Sequence, residues 1–152
     1  MRTFFSGATT AALAAALLFS PSAWAQPDAT LAAAGKEAGS LITSSGVVYK
    51  SLRTGTGAAP AASDTVKVHY KGSFPDGREF DSSYKRNSPT EFPLNRVIPC
   101  WTEGVQMMKV GGKAKLTCPA STAYGERGAG AVIPPNATLQ FEVELLAVSG
   151  KP

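Results

Sequence analysis

The chain has 152 residues, of which 43% are hydrophobic and 17% are charged, and its formal net charge is +4 at pH 7. This length and apolar content suit one domain with a substantial core. The basic residues are scattered with no run of five, which argues against a nucleic-acid-binding surface, and a single histidine with two cysteines argues against a transition-metal site.

The first 25 residues have the pattern of a secretory signal peptide. Arg2 gives a positively charged N-terminal region, Ala11–Phe19 is an apolar run too short to span a bilayer, and Ala23–Ala25 is an A-x-A-like cleavage site. No cysteine lies near the cut, which argues against a lipid anchor. We therefore predict cleavage after Ala25 and a mature protein, without a membrane anchor, in the periplasm or outside the cell. An uncleaved N-terminal anchor is the alternative.

Residues 26–45 are rich in Ala, Gly and Ser, which predicts a flexible N-terminal tether. The segment is too short and too poor in apolar periodicity for a stable helical dimer, so we expect a monomer. A single folded domain is predicted over residues 46–149.

Short strands dominate that domain. In Thr65–Phe74, Val66, Val68 and Tyr70 share one face, which places His69 on the polar face in a structural or solvent-facing role. The predicted strands are Gly46–Arg53, Thr65–Phe74, Arg78–Ser82, Glu91–Leu94, Lys113–Cys118 and Thr138–Val148.

One short helix is predicted within Val97–Met108. Pro99 suits the first helical turn, and Trp101, Val105 and Met108 recur on one face. Five or six strands with one helix indicate an α+β fold, an antiparallel sheet bent across a single helix.

No familiar catalytic motif is present: there is no G-x-S-x-G, P-loop, G-x-G-x-x-G or H-E-x-x-H, and nothing resembles a nucleophile with its base. The chain instead carries many aromatic residues near strand ends and loops. Asp81 follows Phe80, and it is either a solvent-facing turn carboxylate or a single polar group in an apolar pocket.

Four segments in order along the chain resemble the FKBP-type peptidyl-prolyl cis–trans isomerases. They are VHYKG at 68–72, FDSS at 80–83, VIPCW at 97–101 and YGERGAGAVIPPNATLQFEVELL at 124–146. The likeness runs from about Gly46 to Val148. It implies a five- or six-stranded antiparallel sheet wrapped around a short helix, with an aromatic pocket between them that receives a proline ring.

The resemblance also implies residue roles. Trp101 is the expected pocket floor, and its walls are Tyr70, Phe80, Phe92, Val97, Ile98 and Phe141. Tyr124 and Ile133 are expected on the rim. The Tyr124 hydroxyl and the Ile98 N–H are expected to donate to substrate carbonyls. Asp81 is expected as the polar group, with Arg86 as partner of Asp81 or Tyr70.

Cys100 and Cys118 are predicted to form a disulfide, because an oxidising compartment favours pairing and the family architecture makes them plausible neighbours. The resemblance implies no cofactor and no metal. The expected partners are unfolded or partly folded proline-containing polypeptides, with macrolides such as tacrolimus or rapamycin as inhibitors. The alternative function is a proline-binding chaperone module with weak or no catalysis. A structural exported domain with an inert core is a further alternative.

Overall fold

The computed structural model of the chain describes residues 28–150. The predicted signal peptide and its cleavage site lie outside the described residues. Within residues 28–150, no helix combines the length and the apolar character needed to cross a bilayer.

The described chain is built mainly from short strands. The strands are β1 (Ser40–Ile42), β2 (Val48–Arg53), β3 (Thr65–Ser73), β4 (Glu79–Ser82), β5 (Thr90–Pro93), β6 (Lys113–Cys118) and β7 (Leu139–Ser149). The α-helices are α1 (Ala29–Gly35) and α2 (Pro99–Val105), and 3₁₀ turns form at Leu94–Arg96 and Ala120–Thr122.

All seven strands join one antiparallel sheet. Its order is β1-β2-β6-β7-β3-β4, and β5 pairs with the first half of β3. The predicted α+β class with an antiparallel sheet is confirmed. The counts differ, with seven strands instead of five or six and two α-helices instead of one.

The additional helix and strand both lie in the segment predicted as a flexible tether. Asp28 caps α1 and also accepts a hydrogen bond from the Thr138 hydroxyl. Glu37 accepts from Lys50 at 2.7 Å and from Lys115 at 3.4 Å. Strand β1 completes the edge by pairing with β2. Between Asp28 and Ile42 the segment therefore packs on the domain, because the sheet edge supplies backbone partners that the segment lacks by itself.

Helix α2 packs directly on β6. Gly104 permits this approach, since a Cβ atom at this position would lie 2.6 Å from Leu116 Cδ2. The start of α2 is joined to the end of β6 by the disulfide between Cys100 and Cys118, whose Cα atoms are 5.7 Å apart. The predicted disulfide is thus present, and it holds the turn that carries Trp101 against the sheet.

Candidate proline-binding site

A cavity of about 340 Å³ opens beside the first turn of α2. Most of its lining is aromatic or aliphatic. The lining residues are Tyr70, Phe80, Asp81, Phe92, Arg96, Val97, Ile98, Trp101, Tyr124 and Phe141. Nine of these ten were predicted from the sequence, and Arg96 is the addition.

Trp101 is the centre of the aromatic cluster, and its side chain is almost completely buried. Three rings meet it edge to face: Tyr70 at 5.2 Å, Phe92 at 5.5 Å and Phe141 at 5.4 Å between centroids. Such T-shaped pairs are favourable because the positive ring edge faces the negative ring face. The indole is therefore held by three neighbours as a fixed apolar surface.

A further aromatic ring, that of Phe80, extends the cluster around Trp101. Phe80 meets Phe141 edge to face at 5.7 Å. Gly72 on β3 leaves room for both rings, because a Cβ atom there would lie 2.6 Å from Phe80 Cζ and 2.9 Å from Phe141 Cε1. A glycine inside a strand pattern is a sequence signal of such a close approach.

Asp81 lines the cavity together with Phe80, although strict alternation would turn these neighbours to opposite faces. The β3–β4 register shifts between Gly72 and Ser73, and this irregularity breaks the alternation. Of the two interpretations of Asp81 left open by the sequence, the polar group beside an apolar pocket is the one that the geometry matches.

Asp81, Tyr70 and Arg86 form a closed hydrogen-bonded triangle. The Tyr70 hydroxyl donates to Asp81 Oδ2 at 2.5 Å, Arg86 Nη1 donates to Asp81 Oδ1 at 2.5 Å, and Arg86 Nη2 donates to the Tyr70 oxygen at 3.0 Å. Burial opposes ionisation of Asp81, but the hydrogen bonds from Tyr70 and Arg86 outweigh it and lower the pKa of the carboxyl. Burial, followed by the hydrogen bond to Asp81, raises the pKa of Tyr70.

Two hydrogen-bond donors at the cavity are free within the described part of the chain. Ile98 is the N-cap of α2, and its carbonyl accepts from the Trp101 and Thr102 N–H groups at 2.9 and 3.2 Å. Its own N–H has no partner among residues 28–150. The Tyr124 side chain is 40% exposed on the loop between β6 and β7, and its hydroxyl likewise donates to none of the described residues.

The family model described as "FKBP-type peptidyl-prolyl cis-trans isomerase" matches residues 57–146. The chain belongs to this family. It is 57% identical over 118 residues to the FKBP-type isomerase FkpA of Aeromonas hydrophila, covering 78% of this chain and 44% of the relative. It is 53% identical over 113 residues to the FKBP-type 22 kDa isomerase of Escherichia coli (strain K12), covering 74% of this chain and 55% of the relative.

The fold of the chain is also that of this family. The crystal structure of FkpA from Escherichia coli matches with a TM-score of 0.78 and 50% sequence identity, over 80% of this chain and 57% of that one. The chain spans about half the length of the curated relatives it matches.

One residue that the family resemblance placed at the pocket, Ile133, lies elsewhere in the structure. It was predicted on the rim, but it does not line the cavity, and its side chain is buried with the core. Ala129 and Ile133 exchange two backbone hydrogen bonds, Ala129 N–H to Ile133 O at 2.8 Å and Ile133 N–H to Ala129 O at 3.1 Å. These bonds fold the loop tip back on itself, and the burial of Ile133 accompanies this turn.

His69 keeps to the opposite face of the sheet, as the strand alternation predicted. Its ring stacks on Tyr84 with 4.7 Å between centroids, and its Nδ1 lies 2.9 Å from Ser83 Oγ. It does not line the cavity. The described side chains that line the cavity thus include one carboxylate, one guanidinium group and two phenols, but no imidazole.

Proposed function

We propose that this chain is a peptidyl-prolyl cis–trans isomerase that accelerates X–Pro isomerisation in unfolded or partly folded exported proteins. The observation that carries the proposal is the aromatic cavity of about 340 Å³, whose lining holds two donors without a partner among residues 28–150, the Ile98 N–H and the Tyr124 hydroxyl. A proline ring is apolar and its flanking carbonyls are acceptors, so both features of the cavity have a matching feature in the substrate.

The chemistry needs no covalent step. An X–Pro amide crosses between its isomers over a barrier of about 18–20 kcal/mol, because rotation breaks the amide resonance. The twisted amide is less polar than the planar one, so water stabilises the planar ground state more. A cavity that excludes water and binds the twisted form better lowers the barrier. Each 1.4 kcal/mol of differential binding gives about a tenfold faster reaction.

Each part of the site has a role in this scheme. The proline ring packs on Trp101 between the walls formed by Phe80, Phe92 and Phe141. The Ile98 N–H and the Tyr124 hydroxyl donate to the carbonyls beside the proline and fix the amide as it rotates. Asp81 acts through its bonds to Tyr70 and Arg86 by holding the Tyr70 ring in the wall. No cofactor or metal has a part in this scheme.

The decisive experiment uses a protein whose refolding is limited by an X–Pro isomerisation. Catalytic amounts of the mature chain should shorten this slow phase in proportion to the enzyme concentration. The alternative, a proline-binding chaperone module, predicts a change in refolding yield only at stoichiometric amounts and an unchanged rate. An unchanged slow phase in the presence of folded protein would exclude the isomerase proposal.

Macrolide inhibition tests the place of the reaction. Tacrolimus or rapamycin should inhibit by filling the aromatic cavity, and should raise the thermal unfolding temperature of the chain through binding to the native state. Inhibition should be competitive with a proline peptide. Tight macrolide binding without any loss of isomerase activity would place the reaction outside this cavity.

Localisation and assembly are further parts of the proposal. The predicted signal peptide supports a periplasmic or secreted mature protein that begins at Gln26, and the intact mass of exported protein tests this. We propose that the predicted domain at residues 46–149, together with the segment from Asp28 to Ile42 that packs on it, functions as a monomer. Light scattering of the mature chain should give the monomer mass, and twice that mass would contradict the proposal.

A further inference from the structure

Arg96 differs from the other charged residue that lines the cavity. Asp81 is bonded to Tyr70 and Arg86. Arg96 is exposed, and it forms no ion pair or side-chain hydrogen bond with any residue in the range 28–150. Its guanidinium therefore presents free donors at the mouth of the proposed proline site.

The backbone beneath Arg96 is firmly held. Leu94 begins the 3₁₀ turn and is completely buried. Its N–H donates to Asp64 O at 3.0 Å, and its carbonyl accepts from the Thr102 hydroxyl at 2.6 Å. With three residues per turn, burial of Leu94 directs the next two side chains outward. The next residue, Val97, has an extended backbone and lines the cavity. Arg96 is therefore held on a fixed stretch of backbone at the edge of the cavity.

Among the described residues, only two charged ones line the cavity, Asp81 and Arg96. Asp81 and Arg86 neutralise each other across their ion pair of 2.5 Å. Glu91 lies next to the lining residue Phe92 on β5, but strand alternation turns its side chain to the other face. Of the two charges on the lining, that of Asp81 is thus paired, whereas that of Arg96 has no ion-pair partner within residues 28–150.

We propose that Arg96 determines specificity by favouring X–Pro segments with an acidic side chain directly before or directly after the proline. The inference rests on the proposed isomerase function. When a proline ring occupies the cavity, its two neighbours leave through the mouth, past Val97 and Ile98. A Glu or Asp side chain there meets a guanidinium with free donors, which binds a carboxylate through paired hydrogen bonds. At these flanking positions Glu and Asp should therefore be favoured over Gln, Asn and Lys.

The test compares short peptides that carry Glu, Gln or Lys at one flanking position and alanine at the other. Exchange NMR or a protease-free absorbance assay gives kcat and KM for each peptide. At low ionic strength we expect Glu to exceed Gln by about threefold in kcat/KM at one flanking position or both, because exposed ion pairs are weak. The difference should lie in KM and should fade near 1 M salt, where the Debye length is about 3 Å.

Charge variants locate the effect. Arg96→Gln should bring the Glu-to-Gln ratio to about one, and Arg96→Glu should invert the preference towards Lys. The matched control for Arg96→Glu is Lys109→Glu. It makes the same change in net charge as Arg96→Glu, at an exposed position beyond the other end of α2. This control should keep the preference for Glu.

The outcomes separate the inference from the function on which it rests. No acceleration of any peptide by the wild-type chain would remove both. Normal activity on the Gln peptides with equal rates on Glu peptides would overturn only the role of Arg96. That role would also be overturned if the preference for Glu survives in Arg96→Gln, or if Lys109→Glu loses it to the same extent as Arg96→Glu.

Discussion

Asp81 links a charged group to the geometry of the cavity wall. Its two oxygens are bonded to different partners, Tyr70 and Arg86, which are also bonded to each other. The Tyr70 ring in turn meets both Phe92 and Trp101. In the proposed mechanism the carboxylate therefore acts indirectly, by fixing the orientation of a ring that lines the cavity.

Replacement of Asp81 by Asn should lower stability in a pH-dependent way. The folded-state pKa of Asp81 lies below the ordinary value of 3.8, so its stabilising contribution is present above that value and is lost as the pH falls through the folded-state pKa. The Asp81 side chain is 41% exposed, so we expect a difference below about 1 kcal/mol at neutral pH. Urea unfolding of both proteins from pH 7 down to pH 3 measures it. A difference that grows towards acid would contradict the prediction.

Tyr124→Phe should reduce isomerisation several-fold while leaving stability unchanged. The Tyr124 hydroxyl bonds to none of the described residues, so its removal costs the folded chain nothing but deprives the substrate carbonyl of a donor. Tyr84→Phe is the matched control, because this tyrosine is 38% exposed, donates to Glu144 at 3.0 Å and lies away from the cavity. Peptide isomerisation rates measure the activity of the two variants, and thermal unfolding measures their stability. Equal activity of the two variants would remove Tyr124 from the mechanism.

At the scale of elements, α2 carries the site. Its first turn supplies Trp101 and the Ile98 N-cap, and its glycine lets it lie against β6. The sequence predicted this helix well, because a proline start and an apolar face are local signals. It did not predict that the segment with α1 and β1 packs on the domain, because the side chains that hold this segment, Thr138, Lys50 and Lys115, are distant in the sequence.

The same distinction applies to Ile133, which does not line the cavity, and to Arg96, which the sequence analysis did not single out. Ile133 lies in a Gly- and Pro-rich loop, where the sequence gives no periodicity from which to infer burial, and it is buried next to a local backbone bridge with Ala129. Arg96 belongs to no motif, and only the anchoring of Leu94 by Asp64 and Thr102 places it at the cavity. Aromatic walls were predictable because alternation and family position agree for residues such as Tyr70 and Phe141.

The disulfide between Cys100 and Cys118 should contribute to the stability of α2 on the sheet. The two residues are 18 apart in sequence, and a loop of this size gives about 3 kcal/mol in the loop-entropy account. Reduction, or replacement of both cysteines by alanine, should lower the urea midpoint accordingly. Because the chain has only two cysteines, the double-alanine variant should show no further response to reductant. An identical midpoint for the oxidised and reduced wild type would contradict the prediction.

For the molecule as a whole, the sheet separates His69 from the ionisable groups at the cavity. His69 and Tyr84 stack on one face, whereas Asp81, Tyr70 and Arg86 adjoin the cavity. Histidine is the side chain that ordinarily titrates between pH 5 and 8, and it is the commonest general base. The fold therefore keeps its single histidine away from the proposed site of reaction.

Isomerisation should consequently be nearly independent of pH between about 5 and 8. The pKa of Asp81 is lowered below 3.8 and that of Tyr70 is raised above 10.0, so neither changes its charge in this interval. Initial rates against pH for the wild type and for His69→Ala measure this, and both profiles should be flat. Trp101→Ala or Phe141→Ala should instead remove most activity at every pH. Circular dichroism should check the folding of these variants, because the loss of a core aromatic ring costs about 3–5 kcal/mol of stability. A bell-shaped profile that His69→Ala flattens would establish acid–base catalysis, and the desolvation mechanism would then have to be abandoned.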